Sequence, residues 1–411
     1  MAQVQGICDP RFDKVRTLFQ SHLTTGLEIG ASLTVNLAGE TVLDLYGGHA
    51  DAARTVPWHR DTLVPVASST KTVTALAVLL LVDEGAIASV NDKVSQYWPE
   101  FAANGKENVE IRHLLSHTSG VAGWEGPITM AEICDPTSDA TARLAAQAPW
   151  WEPGTAGGYH AWNYGHLLGE VVRRVTGGTR LKEFVARRIA GPLGADFQIG
   201  LREEDEGRVS EFIAPPPPAN GGGGGGGLPP GFTPGPLFIK AIANPPMPPD
   251  FGRTRAWRDG EVGASNGVTN ARALNTILSQ ITLAGAEVDN SQNDKDKKKY
   301  LLSKPTVDLI FQEQSRGPDL AVGQPIRWGI GYALRGDGDG DGDGDKTWVD
   351  DRLPAGRIAY WGGSGGSLGI MDIDRGLTIT YAMNLRSASA LGNEASTAYL
   401  RAIYEALGVE M

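Results

Sequence analysis

The sequence predicts an α+β fold: an antiparallel sheet flanked by helices and built from both termini, with a mostly helical lobe inserted between its halves. Three observations carry this prediction. Residues 31–46 alternate apolar and polar side chains, as strands do, and residues 357–383 do so again near the other end. Between them, from about 92 to 200, the apolar spacing is helical and interrupted by loops.

In chain order, Asp9 and Pro10 suit the cap and first position of a helix over 10–25, with Phe12, Val15, Phe19 and Leu23 along one face. Residues 31–37 and 41–46, joined by Ala38-Gly39-Glu40, read as a β-hairpin. Pro65-Val66-Ala67-Ser68-Ser69-Thr70-Lys71 then runs into Thr72–Val82, rich in Ala and Leu and apolar nearly all round, which predicts a buried helix. Asp83-Glu84-Gly85 ends it, with Gly85 as the cap. Its run of about ten apolar residues is too short to cross a bilayer.

Residues 109–115 precede the turn cluster His117-Thr118-Ser119-Gly120, and Trp150–Thr155 forms a second turn before Ala156-Gly157-Gly158-Tyr159. Helices follow over Tyr164–Val175, stopped by Gly177-Gly178, and over Leu181–Ile189. The segment 214–250, with prolines at 215–218 and glycines at 221–227, is expected to form no packed core and to serve as a linker or a flap. A charged insertion spans 287–299, and the Gly/Asp alternation of 337–345 reads as a solvated hairpin tip rather than a calcium site. Strands over 357–361, 367–373 and 377–383 and an amphipathic helix over 393–407 complete the chain. The expected organisation is one domain over 8–408. Its α/β lobe takes 8–66 and 255–408, and its helical lobe takes 67–213.

Composition narrows the function. At 411 residues, 41% hydrophobic and 21% charged, the chain is that of an ordinary globular protein with a large core. A formal charge of −11, with no basic block, argues against a nucleic-acid partner. No secretory or membrane segment is apparent, and the two cysteines, Cys8 and Cys134, are far apart, so a reducing cytoplasm and no membrane partner are expected.

The stretch with chemistry is Ser68–Lys71. Three residues apart, the two side chains share a face at a helix N-terminus, where free N–H groups and the positive end of the helix dipole gather. A hydroxyl with an amine in reach is a way to make an alkoxide equivalent. The spacing selects Ser68 over Ser69, whose i+3 partner is Thr72. Taken alone, the pair reads more readily as a helix cap and a surface lysine.

Competing sites are weaker. Gly362–Gly366 and Gly365–Gly369 both fit G-x-S-x-G, but all seven histidines lie between 22 and 166, so neither serine has the downstream histidine that a nucleophile elbow requires. These glycines instead let a strand pass close to a ligand. His113 and His117 have zinc-peptidase spacing, but Leu114 stands where the general-base glutamate belongs. They read as loop-fixing hydrogen bonds, and neither metal nor cofactor is expected. His160 either tunes Tyr159 or lines the cleft.

Taken together, Ser68-Ser-Thr-Lys71, Pro153-Gly154-Thr155 with Tyr159 six residues after the proline, and Trp361-Gly362-Gly363 resemble the three ordered motifs of the serine β-lactamase and penicillin-binding-protein superfamily. The resemblance is to the class C type, and within it to family VIII esterases and fungal polyketide acyltransferases. His113–Gly120 and Ser265–Asn270 also resemble stretches common in these hydrolases. The resemblance covers nearly the whole chain and implies a β-lactamase/transpeptidase-like fold. It implies Ser68 as nucleophile, Lys71 or Tyr159 or both as base, and the N–H groups of Ser68 and Ser364 as oxyanion donors. His160, Trp361, Gly362, Gly363 and Ser364 are then expected to bind substrate.

Two departures matter. The superfamily's third motif usually starts with a lysine that meets a substrate carboxylate. Trp361 replaces it and removes a contact worth roughly 1.5–3 kcal/mol, which suits a neutral or apolar acyl group. The second motif reads Tyr159-His160-Ala161, without its usual polar third residue. The expectation is an esterase or acyltransferase acting on small esters or thioesters, with water, an alcohol, an amine or an acyl carrier as partner. A β-lactamase or amide hydrolase, or a non-catalytic binding member, is the alternative.

Overall fold

The computed structural model describes residues 3–214, 235–248, 250–286, 300–336, 347, 349–387 and 391–411. The proline and glycine runs and both charged insertions lie outside those residues.

Among the described residues nine strands form one sheet: β1 (Gln5–Cys8), β2 (Gly30–Leu37), β3 (Glu40–Gly48), β4 (Ser315–Pro318), β5 (Pro325–Trp328), β6 (Ala333–Leu334), β7 (Ile358–Gly362), β8 (Leu368–Asp372) and β9 (Leu377–Met383). Their order is β1-β3-β2-β9-β8-β7-β6-β5-β4, with every neighbour antiparallel. The two ends of the chain meet at β2 and β9, where Ala31 lies opposite Met383 and Leu37 opposite Leu377.

Five long helices are α1 (Asp13–Thr25), α2 (Thr70–Asp83), α3 (Tyr164–Val175), α4 (Ala271–Gly285) and α5 (Glu394–Ala406). Helix α1 packs on α5, and Val15, Phe19 and Leu23 of its face are buried as the spacing requires, together with Phe12 in the turn before it. Helix α4 lies on β2, β8 and β9. Its buried Asn275 donates to the Thr34 and Thr378 carbonyls at 3.1 and 3.0 Å, while Thr378 donates to the Thr282 hydroxyl at 2.7 Å. Polar positions on these strands are therefore buried too: Thr34 bonds to Asp44 on the neighbouring strand, and Thr380 donates to the Ala271 carbonyl of α4 at 2.8 Å.

Helix α2 runs through the other core. It is buried on all sides from Thr70 to Leu81, with α3 and the Leu181–Val185 helix packed on it. Residues 186–190 continue the latter as a π-turn. A small second sheet joins Val64–Pro65 and Gln198–Ile199 to Gly267–Thr269, the strand beside the start of α2.

One expectation is corrected. Part of the 214–250 segment does pack: Pro236–Ala241 is helical, Ala241 is buried, and Trp162 Nε1 donates to Ile242 O at 2.9 Å. The Asn244 side chain closes this hook by donating to Gly126 O at 2.9 Å. The reason is local: Leu237, Phe238, Ala241 and Ile242, all at least partly buried, supply what the flanking prolines and glycines lack. No helix among the described residues is long and apolar enough to cross a membrane.

Candidate active site

The site forms where the start of α2 meets the end of β7. Ser68 lies in a 3-10 turn, Ala67–Ser69, that leads into α2. Ala67 has φ +45°, a left-handed conformation unfavourable for a residue with a Cβ, so the turn is strained and must be held from outside. Val66 N–H donates to Gly267 O at 3.0 Å, and Ser367 Oγ donates to Val66 O at 2.8 Å. Gly363 follows β7 so closely that a Cβ there would stand 2.1 Å from Val66 O. Ser69 is buried and shares a hydrogen bond with Ser367 Oγ at 2.9 Å, whereas Ser68 is half-exposed. The two adjacent serines thus have separate tasks.

Lys71 Nζ lies 3.2 Å from Ser68 Oγ and donates to the Ala161 and Ala264 carbonyls, both at 2.8 Å. Burial holds its pKa well below the ordinary lysine value of 10.5. The Ala264 carbonyl is fixed by Asn266, whose side chain accepts from Val262 N–H and donates to the Trp257 and Gly260 carbonyls, all at 3.0 Å.

Tyr159 presents its ring to Lys71, with Nζ 4.7 Å from the centroid. Its hydroxyl is buried and has no hydrogen bond, yet Ser68 and the Trp361 indole are near enough to favour its ionisation. Burial is the larger influence and pushes the phenol above its ordinary value. Trp361 packs between Tyr159 and Trp328, at centroid distances of 5.1 and 4.8 Å, with its Nε1 buried and unpaired.

Asp319 and Trp328 also belong to the site, although nothing in the sequence singled them out. Asp319 is buried, and its Oδ1 accepts the N–H groups of Tyr159, Ala321 and Val322 at 2.9–3.0 Å. Its Oδ2 accepts from Trp328 Nε1 at 3.0 Å, and Trp328 stacks on Tyr159 with only 6° between the rings. One carboxylate thereby fixes both the backbone and the ring of Tyr159. A lone Asp between two strands leaves no motif to find.

His160 differs from the cleft-lining role expected of it. It is fully buried, with Nε2 bonded to Ser119 Oγ at 2.7 Å and Nδ1 to Gly158 O at 2.6 Å. Both ring nitrogens are occupied, so the side chain secures the Tyr159 loop and has no free atom for a substrate. Burial lowers its pKa to about 3. His117 accepts the His160 N–H at 3.1 Å and lies 4.6 Å from the Tyr164 ring. His113 accepts Glu110 N–H at 3.1 Å within a capping box. Ser364 is exposed at the tip beyond Gly363, and Arg386 Nη2 donates to its hydroxyl at 3.2 Å.

This geometry has close counterparts. Over 335 residues the chain is 30% identical to the esterase/β-lactamase LipL of Mycobacterium tuberculosis, spanning 80% of this chain and 74% of that one. The crystal structure of a family VIII carboxylesterase superposes with a TM-score of 0.82 at 33% identity, covering 98% of this chain and all of the other. Simvastatin synthase from Aspergillus terreus, at 17% identity and a TM-score of 0.67 over 97% of this chain and 98% of that one, shares the fold alone. The β-lactamase family pattern matches residues 15–402, which takes in the nucleophile turn, the Tyr159 loop and the strand behind Trp361. With fold, motif order and relatives in agreement, the chain belongs to the β-lactamase family.

Proposed function

We propose that this chain is a serine carboxylesterase that works through a Ser68 acyl-enzyme, with Lys71 as general base. The observation that carries this reading is the hydrogen bonding of Lys71. A neutral amine has two N–H donors and one lone pair. Two carbonyls at 2.8 Å engage both donors, leaving the lone pair for the Ser68 hydroxyl at 3.2 Å. Burial favours that neutral form, and no carboxylate among the described residues pairs with Lys71.

Ser68 Oγ attacks the ester carbonyl as Lys71 takes its proton, and the carbonyl oxygen draws on the N–H groups of Ser68 and Ser364. Tyr159, held protonated by burial, relays a proton to the departing alkoxide as the tetrahedral intermediate collapses. Water then attacks the acyl-enzyme along the same path in reverse. Trp361, Gly362, Gly363 and Ser364 line the acyl side, and Trp361 supplies an aromatic wall. The esterase relatives support hydrolysis as the outcome.

Intact-protein mass spectrometry after mixing with a p-nitrophenyl ester tests this. An acyl adduct is expected on the wild type and not on Ser68→Ala. Chasing the adduct with water, alcohols and amines measures hydrolysis against acyl transfer. Absence of both the adduct and p-nitrophenol release from folded wild type would overturn the ester reading.

A further inference from the structure

The loop that carries Tyr159 is tied down residue by residue. Gly157 O accepts from Leu320 N–H at 2.8 Å, and Gly158 N–H donates to His117 O at 2.9 Å. Tyr159 N–H donates to Asp319 Oδ1 at 3.0 Å, and His160 N–H to His117 Nδ1 at 3.1 Å. The Tyr159 hydroxyl, by contrast, is buried with no hydrogen bond, so no bond at its own end sets the direction of the ring. Trp328 lies parallel to that ring within 6°, whereas His117 and Trp361 meet it at 58° and 50°. The Trp328 indole is pinned in turn by its Nε1–H bond to Asp319 Oδ2 at 3.0 Å. Asp319 opens the loop between β4 and β5, and capping that loop takes only its bonds to the Ala321 and Val322 N–H groups. The bonds to Tyr159 and Trp328 go beyond what a turn requires. All four donors are N–H groups, which suit an ionised carboxylate, and no cation among the described residues pairs with it. A buried anion without a cation is costly, and an asparagine or serine would cap the turn without that cost.

We propose that Asp319, through Trp328 and the Tyr159 backbone, is a positioning residue that aims the Tyr159 hydroxyl at the departing oxygen, and that the substrates are accordingly esters of aliphatic alcohols. The inference rests on the Ser68 ester reading. When the C–O bond of the tetrahedral intermediate breaks, its electron pair goes to the alcohol oxygen. An aliphatic alkoxide is a poor leaving group and takes the Tyr159 proton as it departs. The phenolate then recovers a proton from the ammonium that Lys71 became on deprotonating Ser68. A p-nitrophenolate or a thiolate leaves without that proton. An aimed acid therefore serves alkyl esters above all, and a misplacement of about 1 Å costs on the order of 10²-fold in such a transfer.

The test compares ethyl butanoate with p-nitrophenyl butanoate. They share one acyl group, kcat/KM reports acylation for both, and the readout is the ratio of the two values. Tyr159→Phe removes the acid and is expected to slow the ethyl ester about tenfold or more beyond the aryl ester. Asp319→Asn keeps the size of the side chain and an oxygen for the Tyr159 N–H, but turns an amide N–H toward the Trp328 donor. It should shift the ratio the same way, by about tenfold. Adding Trp328→Phe removes the opposed donor and keeps a ring over Tyr159, so this double variant should recover part of the ratio. In a Tyr159→Phe background, Asp319→Asn should move the ratio no further. A purely structural role slows both esters equally. Equal losses or an unchanged ratio in folded Asp319→Asn overturns the assignment, as does a further shift in the Tyr159→Phe background. Two arms need no change at Asp319: a wild type that turns over the aryl ester but not ethyl butanoate overturns the assignment, and so does an unchanged ratio in Tyr159→Phe. In all these cases the aryl ester is still turned over and the ester reading stands. A folded wild type inert to both esters removes the ester reading and this assignment with it.

Discussion

Lys71 carries a titratable amine into a fully enclosed site with two carbonyls and an aromatic ring for company. Its charged form is poorly solvated there, so the amine loses its proton far more easily than in water. The pH dependence follows. Neutral Lys71 is the active form, so kcat/KM should fall about tenfold per pH unit below its pKa and level off above it. That ascending limb is expected well below pH 10.5. Lys71→Arg keeps the charge but cannot deprotonate, and should lose about 10²–10⁴-fold in kcat. Stopped-flow acylation across pH checks both points. A Lys71→Arg enzyme within tenfold of wild type would move the base to Tyr159. The Ser68–Lys71 pair could be picked out by its helical spacing, whereas Tyr159 was named only through the resemblance of its motif. Asp319 could not, since its partner Tyr159 is 160 residues away and the bond goes to a backbone N–H that any residue possesses.

The elements themselves were largely legible. Helix α2 announces itself by composition, α3 by periodicity and its closing glycines, and the hairpin of β2 and β3 by alternation. Where one element touches another, the sequence is nearly silent. The glycines after Trp361 suggested close backbone approach to a ligand. At Gly363 the closest neighbour is instead the nucleophile turn itself. A methyl at Gly363 has to separate β7 from Val66, which would disturb both proposed oxyanion donors at once. Gly363→Ala should therefore lose about 10²-fold in kcat and roughly 1–3 kcal/mol of stability. Steady-state kinetics beside a denaturant titration separates the two effects. Full activity in this variant would show that the turn is not held by this contact.

Across the whole molecule, the join between the chain's two ends contains an unneutralised acid. Glu28, in the connection between α1 and β2, is buried and shares a hydrogen bond with Tyr381 on β9. Tyr381 in turn accepts from Asn393, the cap of α5, at 3.2 Å. Burial pushes the Glu28 carboxyl up from 4.5 to about 8. The folded protein therefore holds a proton there that the unfolded chain releases, and stability falls as pH rises from about 4.5 to about 8. Across that window the change is on the order of 5 kcal/mol from this group alone. Glu28→Gln removes the titration, so the slope of its Tm against pH between 4.5 and 8 should be flatter than that of wild type. Melts across that range measure it, and parallel curves for the two proteins would refute the assignment.

What the sequence determined by itself was local: which residues form helices or strands, which serine has a lysine one helical turn away, and which ordered motifs belong together. These are readable because helix and strand periods place side chains within a few residues of each other. Tertiary structure alone decided the remainder. It turned His160 inward, packed the 236–244 hook against Trp124 and Trp162, and gave Asp319 the task of fixing Tyr159. It also set Arg386 against Ser364. Each of these depends on a contact between residues far apart in the chain, frequently to a backbone atom or a ring face. Such contacts leave no pattern in the order of the amino acids.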